Sequence, residues 1–277
     1  AAPWVPEGKV RAVTVGRDLA PLRLNPLRPP PGTDPRTWLK KLIEITAHAY
    51  FLGEGVMYLL QESIDACYGR AGVYEGASTF PTFRDVHREL AARKTTGREA
   101  NWMASALRTT ASLTYGPMGD TICAPDAAGV GALLEGNVIL ELDALTDADK
   151  VFIDEAILLS VHHQRLAEGG RESLKHVLLV EEAHHVFLRA KQEATGGEPI
   201  TDVILREIRE LGEAVVLVDQ HPSQMAITAL GNTYCTIAMN LKHRSDVRTI
   251  ADACLLDPAQ EAHMGRLPVG AAVVKLQ

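Results

Sequence analysis

The sequence lacks paired cysteines, a bilayer-length apolar run, an excess of positive charge and a phosphate-binding loop. Its four cysteines, Cys67, Cys123, Cys235 and Cys254, lie far apart and form no C-x-x-C pair. That excludes a thiolate zinc site and a disulfide framework, and it fits a reducing compartment. No run of about 18 or more apolar residues occurs, so no segment reads as a membrane span. The N-terminal AAPWVPEGKV has no charged stretch followed by an apolar one, hence no secretory signal, and the expected compartment is the cytoplasm. A formal net charge of −7 excludes a uniformly basic nucleic-acid-binding body, because neutralising phosphates takes clustered Lys and Arg. Local basic linings remain open: Arg17, Arg23 and Arg28 near the start, and Lys242, His243 and Arg244 near the end. Solvated surface charge is the plainer reading of both clusters.

What is present is an ordinary globular composition, 46% hydrophobic and 23% charged over 277 residues. That length suits one large α/β domain or a domain with a sizeable insertion. After the strand-like VRAVTV, the proline-rich PLRLNPLRPPPGTDP of residues 21–35 breaks regular structure. TWLKKLIEITAHAYFL, EGVMYLLQESIDACYG, TFRDVHRELAARK and NWMASALRTTASLTYG then carry apolar residues at helical spacing. Thr82 and Asp85 fit an N-terminal capping signal for the third of these. Residues 34–118 therefore read as an inserted helical subdomain, after a start of the core in residues 1–33 and before its main body in residues 119–277. The bulky residues of the helices, Trp38, Tyr50, Phe51, Met57, Tyr58 and Trp102, are expected in its core. There is no fixed-period repeat and no further low-complexity tract.

From Gly136 the pattern alternates. NVILEL, KHVLLV, AVVLVD, TYCTIAMNL and AAVVKL read as strands, and DADKVFIDEAILLSVHHQRLAEG, TDVILREIRELG and DVRTIADACLL as helices. The fold class expected is α/β, a mostly parallel sheet covered by helices on both faces. Ligands of such sheets sit beyond the carboxyl ends of the strands. Glu181, Glu182 and Gln220 fall there.

The stretch HVLLVEEAHHVF, residues 176–187, is an apolar strand ending in two acids. This matches the nucleotide-hydrolysis motif called Walker B, in which the first carboxylate supports hydrated Mg²⁺ and the second orients or deprotonates a water. Many α/β strands also end in an acid for no chemical reason. VVLVDQHPSQ adds Gln220, a neutral donor and acceptor able to meet a γ-phosphate or a water without adding charge. In LREIRELG, Arg206 and Arg209 are three apart and share a helical face; either suits an arginine finger reaching a neighbouring subunit, or a surface salt bridge. A histidine metal site is the competing use of His162, His163, His184 and His185. Neither H-E-x-x-H nor H-x-x-E-H occurs, and adjacent strand residues face opposite ways. His162 and His163 are expected on an exposed helix face, and His184 is expected to couple the acid pair to another surface.

LLVEEAHHVF, REIRELGEAVVLVDQHPSQM, GNTYCTIAMNLKHRSDVRTIADA and GRLPVGAAVVKL, in that order, resemble the C-terminal two-thirds of the RecA-like P-loop ATPase core of the HerA/FtsK superfamily. The resemblance is strongest to its HerA-like branch, which includes relatives of type IV secretion ATPases. APLRLNPLRPPPG is similar to the segment after the P-loop there. The resemblance implies ATP and Mg²⁺ as cofactors, Glu181 as the water-mediated Mg²⁺ acid in place of the usual aspartate, and Glu182 as the catalytic glutamate. It also implies Gln220 as sensor and Arg206 or Arg209 as the trans-acting arginine. It further implies a homo-hexameric ring moving double-stranded DNA in end processing or defence, with a NurA-type nuclease as partner. The phosphate loop G-x-x-x-x-G-K-[ST] is nevertheless absent; GRAGVYEG and TTGREA lack its Lys-Ser/Thr. The chain is therefore expected to be a portion of a longer ATPase and inactive alone. The alternatives are a P-loop-free module for oligomerisation or partner binding, and a secretion-type ATPase.

Overall fold

The computed structural model describes residues 9–17, 20–127, 129–171, 173–190 and 199–276. Most of the N-terminal stretch read for a signal lies outside them. The chain divides into two compact units, residues 1–169 and 170–277.

In the first unit, β1 (Val10–Thr14) and β2 (Asn137–Glu141) pair in parallel, from Val10 opposite Asn137 to Thr14 opposite Glu141. Between them the described residues form α1 (Pro35–Tyr50), α2 (Glu54–Arg70), α3 (Phe83–Ala92), α4 (Arg98–Thr114) and α5 (Gly116–Ile122), and α6 (Asp147–Glu168) follows β2. The Asp34 carboxylate caps α1 by accepting from Thr37 N at 2.8 Å, and that bond holds its pKa below the ordinary value. Pro35 takes the first helical position, where no amide is needed. The expected cap of α3 is present: Thr82 N donates to Asp85 Oδ2 at 2.7 Å. Gly55 lets α2 and α4 approach, since a Cβ there would lie 2.3 Å from the Trp102 indole.

The proline-rich segment is no loose connector. Leu22, Leu24 and Leu27 are buried, and the segment's backbone carbonyls receive Trp38 Nε1 (Pro26 O, 2.8 Å) and the Tyr68 hydroxyl (Leu27 O, 2.6 Å). Trp38, Leu42, Ile45, Leu59, Ile64, Phe83 and Phe152 form the surrounding core. Two bulky residues expected there are instead on the surface, Phe51 at 68% exposure and Tyr58 at 53%. Phe51 adopts the left-handed conformation that ends α1, φ 53°, and this swings it off the apolar stripe. The expected exposure of His162 and His163 is also corrected: His162 is buried and His163 half-buried, its ring edge-on to Trp38. The reason is that α6 packs on α1 and is buried over most of its circumference. Polar groups cross that interface, His48 to Glu155 and the Tyr50 hydroxyl to Asp149 Oδ1 (2.6 Å). Burial pushes Asp154 up to about 7 and His163 down to about 4.

In the second unit, β3 (His176–Glu181) and β4 (Glu213–Val218) pair in parallel, from His176 opposite Glu213 to Glu181 opposite Val218. Helix α7 (Ile200–Glu207) and a 3₁₀ turn (Ile208–Leu211) lead into β4. Gly212 makes the corner at φ 87°, where a Cβ would sit 2.5 Å from Ser173 O, so only glycine fits. After α8 (Ile227–Gly231), β5 (Cys235–Ala238) pairs with β6 (Val273–Leu276) antiparallel. Helices α9 (Arg244–Cys254) and α10 (Pro258–Met264), which lie between these two strands in the chain, pack on the pair through Ala238, Ile250, Ala251, Cys254, Met264 and Leu267.

The described strands thus form two parallel pairs and one antiparallel pair. On one face of β3–β4, Val177, Leu179, Val216 and Val218 are 42–57% exposed. Strand alternation puts Glu181 in line with Val177 and Leu179. No described helix is long and apolar enough to cross a membrane.

Candidate functional site

The site is built where β3 and β4 end side by side. Glu181 is the last residue of β3, and Glu182 follows in the left-handed region, φ 50° and ψ 46°. A glutamate seldom adopts that conformation, which costs of order 1 kcal/mol and tends to mark functional turns. It ends the strand abruptly and starts a 3₁₀ turn, Ala183–His185, anchored by buried Ala183, Val186 and Phe187. On the neighbouring strand, Asp219 and Gln220 follow Val218 and lead to a second 3₁₀ turn, Pro222–Gln224. The two turns are joined by Ala226 N donating to Phe187 O at 2.7 Å.

Gln220 Nε2 donates to Glu182 Oε1 at 3.1 Å. A carboxylate only accepts, so the carboxamide nitrogen must face it and the Gln220 oxygen points elsewhere. The Glu182 side chain stays 47% exposed. Glu181 is exposed beside it. Two of the sequence-derived residues, Glu182 and Gln220, are therefore in contact, and Glu181 adjoins them.

Arg206 and Arg209 are not brought to this edge. Arg206 lies in the last turn of α7 and Arg209 in the 3₁₀ turn, both exposed and both before the first residue of β4. Gln220 lies past its last. At about 3.3 Å per residue the six-residue strand separates them by roughly 20 Å. Neither guanidinium can serve the acids of its own chain.

His184 and His185 are not strand residues with opposed faces, as the sequence suggested. They share the 3₁₀ turn, with ring centroids 4.3 Å apart. His184 is buried, and both its backbone N (2.7 Å) and ring Nδ1 (2.9 Å) reach Asp219 Oδ2. Asp219 was missed by sequence reasoning; the available signal was an acid directly before the strand-end glutamine. Among the described residues no group of three or more His, Cys, Asp and Glu side chains is arranged to hold a metal ion. The site offers single carboxylates, the donor set of Mg²⁺ bound largely through water and phosphate.

Of the basic clusters, Arg17 is paired with Glu141 (3.2 Å) and Asp143, and Arg28 donates to Ala127 O at 2.9 Å. Arg23 lines a separate open cavity of about 530 Å³ with Arg84, Asp120 and Asp126. Lys242, His243 and Arg244 are exposed.

A mixed α/β chain with parallel strand pairs, carboxylates and a glutamine standing on the carboxyl edge of one of them, is an architecture with known counterparts. Solved structures share it. VirB4 of Thermoanaerobacter pseudethanolicus superposes with a TM-score of 0.68 and 14% identity, over 97% of this chain and 79% of that one. The bacterial conjugative coupling protein TrwB, in an unbound form, gives 0.62 and 13%, over 97% and 71%. The plasmid coupling protein TrwB in complex with ADP and Mg²⁺ gives 0.62 and 14%, over 96% and 71%. No protein-family model matches the sequence, and no curated protein matches it. At such identity the likeness is one of fold.

Proposed function

We propose that these residues carry the acid and sensor half of an ATPase motor, and that Glu182, Glu181 and Gln220 are its working groups. The observation that carries this reading is the 3.1 Å contact between Glu182 and Gln220 across the ends of adjacent parallel strands, with the glutamate half exposed. Bound Mg²⁺·ATP supplies a γ-phosphoryl group open to attack by water. Glu182 Oε1 is occupied by Gln220, so Oε2 is the atom that orients a water and takes its proton. Glu181 would support a Mg²⁺ ion, which would supply charge stabilisation for the γ-phosphoryl group. Gln220 couples the two strand ends to the state of the γ-phosphate: its amide N–H groups are donors and its oxygen an acceptor, and it adds no charge. The separation of Arg206 and Arg209 from their own edge suits a role in trans, toward the site of an adjacent subunit in a homo-hexameric ring. The phosphate cradle is not in this sequence. Turnover is therefore a property of these residues together with a Walker A segment outside them.

The substrate of the motor in this reading is double-stranded DNA, moved in the cytoplasm with a NurA-type nuclease as partner; residues 34–118 form the inserted helical subdomain. A second reading, a conjugation- or secretion-type ATPase, is favoured by the likeness to VirB4 and TrwB. ATP hydrolysis by the complete protein, with and without duplex DNA, separates them. Turnover that depends on Glu182, rises with DNA and falls steeply with salt supports the DNA motor. Turnover indifferent to duplex supports the second reading. Wild-type turnover by Glu182→Gln would sink both.

A further inference from the structure

The buried Asp219 carboxylate lies directly behind the Glu182–Gln220 pair and has no part in the roles assigned so far. Its side chain is 6% exposed. Oδ2 accepts from His184 N (2.7 Å) and His184 Nδ1 (2.9 Å), and Oδ1 accepts from His221 N (2.5 Å). One carboxylate thus ties the turn that carries Glu182 to the loop that carries Gln220. A second carboxylate secures the far end of that loop. Asp246, with a side chain 3% exposed at the start of α9, accepts from Ser223 N at 3.0 Å and lies 3.9 Å from His221 Nδ1.

We propose that Asp219 is a positioning residue that, through His184, fixes Glu182 and Gln220 in register for water activation. The inference rests on the function proposed above and deepens it. Glu182 sits in a backbone conformation that glutamate does not choose by itself, so something outside the residue must hold it. The turn after it is held by the two donors of His184. For Asp219 to accept from Nδ1, the proton must sit on that nitrogen. The same Nδ1 lies 3.7 Å from Glu182 Oε2, beyond hydrogen-bond reach. His184 therefore braces the glutamate's turn while leaving Oε2 to water. What Asp219 requires of residue 184 is a donor at the Nδ1 position and a backbone N–H, and not a charge or a second ring nitrogen.

That requirement separates positioning from chemistry by the histidine itself. Asparagine places its amide nitrogen near the Nδ1 position, and phenylalanine fills the space with no donor. In the complete ATPase, Asp219→Asn and His184→Phe are expected to lower kcat about 100-fold, the effect of misplacing a reacting group by about 1 Å, with KM for ATP within about threefold. His184→Asn is expected to keep kcat within about threefold of wild type. In the nucleotide-free protein, ¹⁵N spectra of the His184 ring should show the Nδ1–H tautomer in the wild type. The proposal is overturned if His184→Asn is as impaired as His184→Phe, if Asp219→Asn turns over like wild type, or if the ring carries its proton on Nε2 alone. Should Asp219→Asn not fold, the two His184 variants decide the matter. Glu182→Gln is measured in parallel: its retained turnover would overturn the function proposed above, whereas its loss beside an unaffected Asp219→Asn overturns only the positioning role.

Discussion

Two parallel strand pairs in this molecule end in acids, and the acids have opposite fates. At the end of β2, Glu141 and nearby Asp143 share the guanidinium of Arg17, all three side chains being 42–60% exposed. At the end of β3, Glu182 meets the carboxamide of Gln220 and is flanked by a histidine that points at another carboxylate. A guanidinium neutralises the acid and ties it down. A carboxamide orients it and leaves the charge in place. An acid at the end of an aliphatic strand is thus not a site by itself; its partner decides between a surface ion pair and an oriented acid with no cation on it.

The largest test of that contrast is a matched pair of substitutions. On the proposed function, Glu182→Gln is expected to reduce ATP turnover by the full protein about 100- to 10,000-fold, the range for loss of a general base. Glu141→Gln should leave turnover within about twofold, and equal losses at both positions would erase the distinction. Next in size is Gly212→Ala, which places a Cβ against Ser173 O at positive φ, at the corner that feeds β4. It should destabilise the second unit by about 1–3 kcal/mol and draw Gln220 away from Glu182, and native amide exchange along β3 and β4 would register it.

The first unit answers to pH through two groups on α6. Asp154 ionises near 7 in the folded protein against an ordinary 3.8. Between those values the unfolded chain binds fewer protons, so this group's stabilisation is complete below about pH 4 and is lost as the pH rises to about 7. His163, held near 4 against an ordinary 6.5, works in the other direction between pH 4 and 6.5. Asp154→Asn removes only the first slope. Urea midpoints of wild type and variant should therefore diverge in the variant's favour from pH 5 to pH 8, and parallel midpoints would contradict the assignment. The smallest effect is expected for Arg17→Ala, within about 0.5 kcal/mol, because exposed ion pairs contribute little.

Much of this was legible in the sequence because it is local. Aliphatic runs and helical spacing predicted the strands and helices, and the spacing of Thr82 and Asp85 predicted a cap that is present. A βα alternation placed Glu181, Glu182 and Gln220 on one edge. Other features depend on residues far apart in the chain. The bond from His184 to Asp219 spans 35 positions and exists because Glu181 is in register with Val218. The proline-rich segment looked like a break, yet its carbonyls are the acceptors that Trp38 and Tyr68 require when buried. His162 and His163 looked solvated, but α6 has too little exposed circumference to keep them so.

By itself, then, the sequence determined the order of elements, the acidic carboxyl edge and the absence of a phosphate loop, since propensity, periodicity and motif spacing act within a few residues of one another. Only the tertiary structure decided that four aliphatic side chains on one face of β3–β4 stay part-exposed, that Arg206 and Arg209 stand a strand's length from the acids, and that Asp219 joins the turns that follow β3 and β4. Those follow from strand register and packing, which no window of sequence contains.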